Sequence, residues 1–236
     1  MTKFAVILAA AGKSSRFGDQ HTKKVFTRVH DKPLWLYSAE RFSDHPAVSQ
    51  ILIVISPDDK ELFNEKFSAS AAMLGVQPVL GGEQRADSVR NALREIREDI
   101  PMVAVHDAAR PCITDESIAG VFQAALTHQA ALLATPVHAT IKRASPEGRV
   151  EATIPRDRLW LAQTPQVFSK ELLNEAYDKN PSASAATDEA SLVESIGKPV
   201  YLVEGDPLNI KVTTKSDLKL AEFGLKKRPP KNPFPF

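Results

Sequence analysis

Only one cysteine, Cys112, stands in the 236 residues, so no disulfide can close within the chain. That usage matches a reducing compartment. Glycine is also sparse, with ten residues, and their spacing leaves out two phosphate-binding fingerprints, G-x-G-x-x-G and G-x-x-x-x-G-K-[ST]. A dinucleotide-dependent reductase and a P-loop nucleotidase are disfavoured on that ground. An excess of either charge is missing too. Thirty Lys and Arg face 29 Asp and Glu, a formal net charge of +1. No global basic field points to nucleic acid or to an acidic membrane, and any positive patch must be local. No apolar run approaches the roughly 18 residues of a membrane span. The opening "MTKFAVILAAAG" is briefly apolar but runs into charged residues without a cleavage region. These absences predict a cytoplasmic protein.

What is there is enough for a packed core, at 43% hydrophobic and 25% charged residues. "KFAVIL", "QILIVIS", "MVAVHD", "AALLATPV" and "PVYLVEG" are apolar runs bounded by turn residues, as strands buried on both faces require. Helical patterns lie between them: "LWLYSAERF" after Pro33, "DDKELFNEKF" after Pro57, "RADSVRNALREIRED", and "TDESIAGVFQAALTH", whose acidic start suits the helix dipole. The alternation predicts an α/β fold, a mostly parallel sheet with helices on both faces. One stretch breaks the rhythm. "TIKRASPEGRVEATI", Thr140–Ile154, reads as a charged hairpin around "SPEG". It is marginal alone and needs something to pack on, a second subunit being one candidate. The end, "KKRPPKNPFPF", has four prolines and no periodicity and reads as a disordered tail.

The chemistry-bearing stretches fall at strand ends. "AAAGKSSRFG", Ala9 to Gly18, follows the first strand. Small residues let backbone N–H groups approach an anion, and Lys13 and Arg16 add cations. The plain alternative is a solvated connection. "HTKKVF" then supplies Lys23 and Lys24, which could equally be surface charge. "GGEQRADSV" opens a helix with two glycines that permit close approach. It reads either as a base or ribose site or as a capped helix with a glycine-rich entry. "VHDAARP" clusters His106, Asp107 and Arg110 after a buried strand. Asp107 suits a ribose hydroxyl, a metal or a polyol, with a buried Asp–Arg pair as the structural alternative. "TPQVF", "ATDEAS" and "NIKVTT" are further polar clusters, and Lys211 in the last needs an anion partner if it points inward.

Taken in series and at these intervals, "AAAGKSSRFG", Lys24, "GGEQRADSV", "VHDAARP", "PVHATIKR", "LWLAQTPQVF", "TDEAS" and "NIKVT" resemble the 2-C-methyl-D-erythritol 4-phosphate cytidylyltransferase family, from about Phe4 to Phe223. The resemblance implies a Rossmann-like nucleotidyltransferase sheet with a projecting β-arm at about 138–158. It implies a single domain over 1–225, with 226–236 outside it as the tail. It also implies homodimers whose arms interlock, and transfer of CMP from CTP to a polyol phosphate with release of pyrophosphate. Mg²⁺ would be held mainly by the CTP phosphates rather than by a protein ligand set.

Carried over position by position, Arg16 and Lys24 match residues that stabilise the transition state. Arg156 and Lys211 match those that place the sugar phosphate, Arg156 from across the dimer, and Thr140 matches a threonine of the same arm. Ala10, Ala11, Gly12, Gly82, Glu83 and Ser88 match nucleotide-binding positions, and Asp107 and Arg110 the polyol and ribose end. Departures from the family pattern are Lys23 where proline commonly precedes the catalytic lysine, Ala9 for a frequent proline, and Glu83 for a frequent aspartate. The competing readings are a ribitol-5-phosphate cytidylyltransferase, a sugar nucleotidyltransferase using UTP or GTP, and a non-catalytic nucleotide-binding module. Retention of Arg16, Lys24 and Lys211 speaks against the last.

Overall fold

Residues 1–12, 17, 23–180 and 186–226 are described by the computed structural model. Arg16 lies outside them, as do 227–236. The described strands are β1 (Phe4–Ala9), β2 (Arg28–Val29), β3 (Lys32–Pro33), β4 (Val48–Ile55), β5 (Val76–Leu80), β6 (Met102–Asp107), β7 (Ala130–Pro136), β8 (Ile141–Ala144), β9 (Val150–Ile154), β10 (Trp160–Ser169) and β11 (Tyr201–Glu204). The helices are α1 (Leu34–Ser43), α2 (Lys60–Met73), α3 (Arg85–Arg94), α4 (Asp115–His128), α5 (Lys170–Lys179), α6 (Glu189–Ser195) and α7 (Lys215–Lys226). Among the described residues, seven strands form one sheet in the order β11-β7-β10-β6-β1-β4-β5. All neighbours are parallel except β10, which runs antiparallel to both β6 and β7.

The period-2 pleat of β1 and β4 explains the layers. Phe4, Val6 and Leu8, with Ile51, Ile53 and Ile55, face a core closed by α1, α2 and α4. Ala5 and Ile7, with Leu52 and Val54, face the opposite core, closed by α3, α5 and α6. β1 and β4 are therefore buried on both sides, which is why the sequence shows runs of apolar residues there rather than alternation, whereas β11, expected to be buried likewise, lies at the sheet edge and is largely exposed.

The predicted helix through Asp99 stops at Arg94. The buried Gln50 side chain takes over its end, donating to Glu95 O at 2.9 Å and accepting from Arg97 N at 3.0 Å. Ile96 stays in the core beyond it. Lys226, the first residue of the tail expected over 226–236, instead closes α7, which buries Ala221 and Gly224; the rest of that stretch lies outside the described residues. β8 and β9 pair with each other around the Ser145–Gly148 turn, where Gly148 has φ +85°. No helix among the described residues is long and apolar enough to cross a membrane.

Candidate active site

β1 lies between β4 and β6, and the chain moves outward to β4 and β5 before returning to β6 on the other side. That reversal opens a crevice at the carboxyl ends of β1 and β6, the place where ligands bind in such sheets. Ala9 is opposite Asp107 there, and Ala108 N donates to Ala9 O at 3.2 Å. A cavity of about 1000 Å³ sits at this edge. Its described walls include Ala10, Ala11, Gly12, Lys24, Asp107 and Lys211, and also Gly82, Glu83 and Ser88. Nine predicted site residues are thus brought together from five separate stretches of chain.

Two backbone turns shape the first wall. After β1, Ala10 N donates to Val54 O at 2.9 Å, which holds the small-residue loop against β4. After β5, Gly81 N donates to Ile55 O at 2.8 Å. A Cβ on Gly81 would lie 2.7 Å from Ser88 Oγ, and one on Gly82 would lie 2.5 Å from Asp87 Cβ. The turn folds so tightly onto the first turn of α3 that only glycine fits. Ser88 fastens it: its hydroxyl accepts from Gly82 N at 3.1 Å and donates to Gln84 O at 2.9 Å. Asp87 accepts from Gln84 N at 3.2 Å. Ser88 therefore forms the loop as well as lining the cavity.

Asp107 organises the opposite wall. Its Oδ2 lies 3.0 Å from Lys211 Nζ and 3.3 Å from Arg110 Nε. Burial alone would raise this carboxyl. Lys211, then Arg110 and Arg85, outweigh that and hold it well below the usual carboxylate range. Lys211 has the anion partner that its sequence setting calls for, and its side chain remains 39% exposed at the cavity. Arg110 is turned away from the lining; it binds Asp107 and donates to Asn209 O at 2.7 Å. The buried Asp–Arg pair is therefore present, with Lys211 added to it.

Behind Asp107, His106 is fully buried. Arg110 O is an acceptor, so the Nε2 at 3.2 Å carries the proton, and Nδ1 accepts from the Thr164 hydroxyl at 3.1 Å. Thr164 Oγ1 also accepts from Asp107 N at 3.0 Å. This network wants a neutral imidazole, and burial pushes its pKa down to about 4. An unfolded histidine titrates near 6.5, so between these values the unfolded state binds more protons and stability rises with pH. The contribution is full above about pH 6.5 and is lost as pH falls toward 4, about 3 kcal/mol in all. Urea unfolding across that window is expected to show this loss, and His106→Gln to flatten it. An equally steep slope in the variant would assign the effect elsewhere.

Thr140 and Arg156 do not line this chain's cavity. Both are exposed on or beside the β8–β9 arm, where Arg156 donates to His138 O. Sequence reasoning passed over the role of Glu189. This carboxylate, 1% exposed, receives both guanidinium nitrogens of Arg85 at 2.6 and 2.8 Å, and Tyr177 Oη lies 3.4 Å from it. Arg85 is on the cavity wall, so the pair ties α3 and its glycine turn to α6. The signal was an acid at the start of an otherwise apolar helical turn, "EASLV".

No group of three or more His, Cys, Asp or Glu capable of holding a metal occurs among the described residues. Asp107 is committed to cations.

Residues 4–227 match the protein family described as 2-C-methyl-D-erythritol 4-phosphate cytidylyltransferase. A relative of that name from Symbiobacterium thermophilum is 42% identical over 225 residues, covering 93% of this chain and 91% of its own. The crystal structure of the Francisella tularensis protein with that name has a TM-score of 0.81 at 32% identity, covering 94% of this chain and all of its own. That of the Thermus thermophilus protein gives 0.77 at 31% identity, covering 94% and 98%. Cavity position, motif order and these likenesses agree: the chain belongs to the 2-C-methyl-D-erythritol 4-phosphate cytidylyltransferase family.

Proposed function

We propose that this protein transfers CMP from CTP to 2-C-methyl-D-erythritol 4-phosphate, forming CDP-methylerythritol and pyrophosphate. The observation that carries this is one cavity with two kinds of wall. Backbone-rich turns at Ala10–Gly12 and Gly81–Glu83 share the cavity with the ammonium groups of Lys24 and Lys211. The backbone turns suit a nucleotide, whose phosphates and polar edges their N–H groups can meet, and the ammonium groups suit two meeting phosphates.

An oxygen of the acceptor phosphate attacks the α-phosphorus of CTP in line. The new P–O bond forms as the bond to the bridging oxygen breaks, and pyrophosphate leaves with the electron pair. The acceptor is already an anion near neutral pH, so no general base is required. What the chain must supply is positioning and neutralisation of charge. Arg16 and Lys24 are assigned to the α-phosphoryl group and its leaving oxygen. Lys211, oriented by Asp107, is assigned to the acceptor phosphate, and Arg110 to holding Asp107. Ala10, Ala11, Gly12, Gly82, Glu83 and Ser88 are assigned to binding CTP. When bound, Mg²⁺ supplies countercharge to the phosphate oxygens. Residues 1–225 act as one domain in this reading, in the cytoplasm.

The active form is a homodimer. The arm and its base expose Val150, Leu159, Trp160 and Leu161, between 37% and 60% accessible. A two-stranded hairpin of this size is marginal unless it packs on something. Interlocked arms would cover this surface and bring the partner's arm to each cavity, so Thr140 and Arg156 serve the other subunit. Arg156→Ala is then expected to raise KM for the acceptor about tenfold or more, with KM for CTP nearly unchanged. A change confined to CTP would contradict the assignment. The reading as a whole is tested by pyrophosphate release with CTP and Mg²⁺, using methylerythritol phosphate and ribitol phosphate as acceptors and UTP and GTP as alternative donors. Faster turnover of ribitol phosphate, or no turnover of either, would overturn it.

A further inference from the structure

The short 3-10 turn Lys24–Phe26 carries Lys24 to the cavity, and it is anchored at both ends to one neighbour. On its far side, Phe26 stacks on Phe67 of α2, with centroids 5.1 Å apart and planes 19° from parallel. On its near side, Lys23 Nζ donates to Asp59 Oδ2 at 2.7 Å. Asp59 ends the 3-10 turn Pro57–Asp59 that leads into α2, and its side chain is only 8% exposed. Phe26 N to Lys23 O at 2.9 Å and Thr27 N to Lys24 O at 3.1 Å close the turn between the anchors.

The backbone at Lys23 has φ −65° and ψ 139°. That φ is the one a proline ring would lock. Lysine has no such lock, so contacts from elsewhere can take over the role of restricting it. The buried carboxylate of Asp59 can do this, because separating it from the ammonium would strand a charge away from water. We infer that the Lys23–Asp59 ion pair is a positioning device that fixes the turn carrying Lys24, and that Lys23 is not itself a phosphate ligand. The inference rests on the transferase reading given above. It divides the labour between adjacent lysines: Lys23 sets the geometry of the turn, and Lys24 is the one assigned to the α-phosphoryl group.

The test uses the full-length protein with four changes: Lys23→Met, Asp59→Asn, the two combined, and Lys23→Pro in the Asp59→Asn background. In pyrophosphate release, each single change is expected to lower kcat about tenfold with KM for CTP held within about twofold, since misplacement costs turnover more than binding. The Lys23→Met/Asp59→Asn protein should be no slower than either single, because both remove one interaction. Lys23→Pro/Asp59→Asn should recover most of the parental kcat, because the ring restores φ without a buried charge. A second readout does not require turnover. With lysines ¹³C-methylated, the Lys24 signal should be dispersed in the parent and the proline variant and move toward the random-coil position in the singles.

Additive losses, failure of proline to recover either readout, or a raised KM for CTP in Lys23→Met with Asp59→Asn silent would each overturn the inference. The last result would make Lys23 a phosphate ligand. A parent that does not turn over would strike the transferase reading instead, and the lysine signals would still decide the role of the pair.

Discussion

Replacing Lys24 with alanine is expected to lower kcat by about 10²–10³-fold while moving KM for CTP far less. In the ground state, solvent can share the triphosphate charge. In the five-coordinate state, charge shifts onto the α-phosphoryl oxygens and the departing bridge, and a cation fixed at that point becomes worth more than one recruited from solvent. The backbone of Lys24 sits in a closed turn packed against α2, so on the proposed reading its contribution is organised before substrate arrives. The same loss is expected for Arg16→Ala, whose position lies outside the described residues. Steady-state rates across CTP and acceptor concentrations check both. Turnover within about threefold of the parent for either variant would remove it from the reacting centre.

The second large effect is on stability. Glu189→Ala is expected to cost about 3–5 kcal/mol, because it leaves the Arg85 guanidinium beside a buried void and strips Tyr177 of its partner. For a chain of this size that is a fall of roughly 10 °C in Tm. Glu189→Gln keeps hydrogen-bonding capacity and shape, so it should lose less. Calorimetry on the parent and both variants measures the difference. A Tm within about 2 °C of the parent in Glu189→Ala would show that the bidentate pair adds nothing net. Activity should suffer in the same variants, because Arg85 is one of three cations that hold Asp107 ionised.

How much of this could be read from the sequence depends on where each signal lives. "MVAVHD" gives β6 residue for residue, since a strand buried on both faces has no other pattern to offer. The hairpin around "SPEG" was equally plain, because Pro146 and Gly148 fix the turn locally. β10 was not legible. It carries Gln163, Thr164, Pro165 and Gln166 in its middle, and proline there argues against a strand. The structure accommodates them with a cis Thr164–Pro165 peptide bond and a register shift between Ala162 and Gln166. The polar side chains are spent on partners remote in sequence: Gln163 on Asp206, Thr164 on His106, Gln166 on Asp188 and Ala190. No local pattern encodes such pairings. The same holds for Lys23, which reads as surface charge until Asp59, 36 residues away, appears beside it.

The antiparallel course of β10 carries a lesson for engineering. β7 ends at Pro136 and β10 begins at Trp160, and these two residues pair directly with each other. Everything between them is strung from adjacent posts at a single rim, so it can be cut out and replaced by a segment of another length without shifting a rung of the seven-stranded ladder. The length and sequence of that segment can then vary while Lys211 and Asp107, on other elements, stay in place.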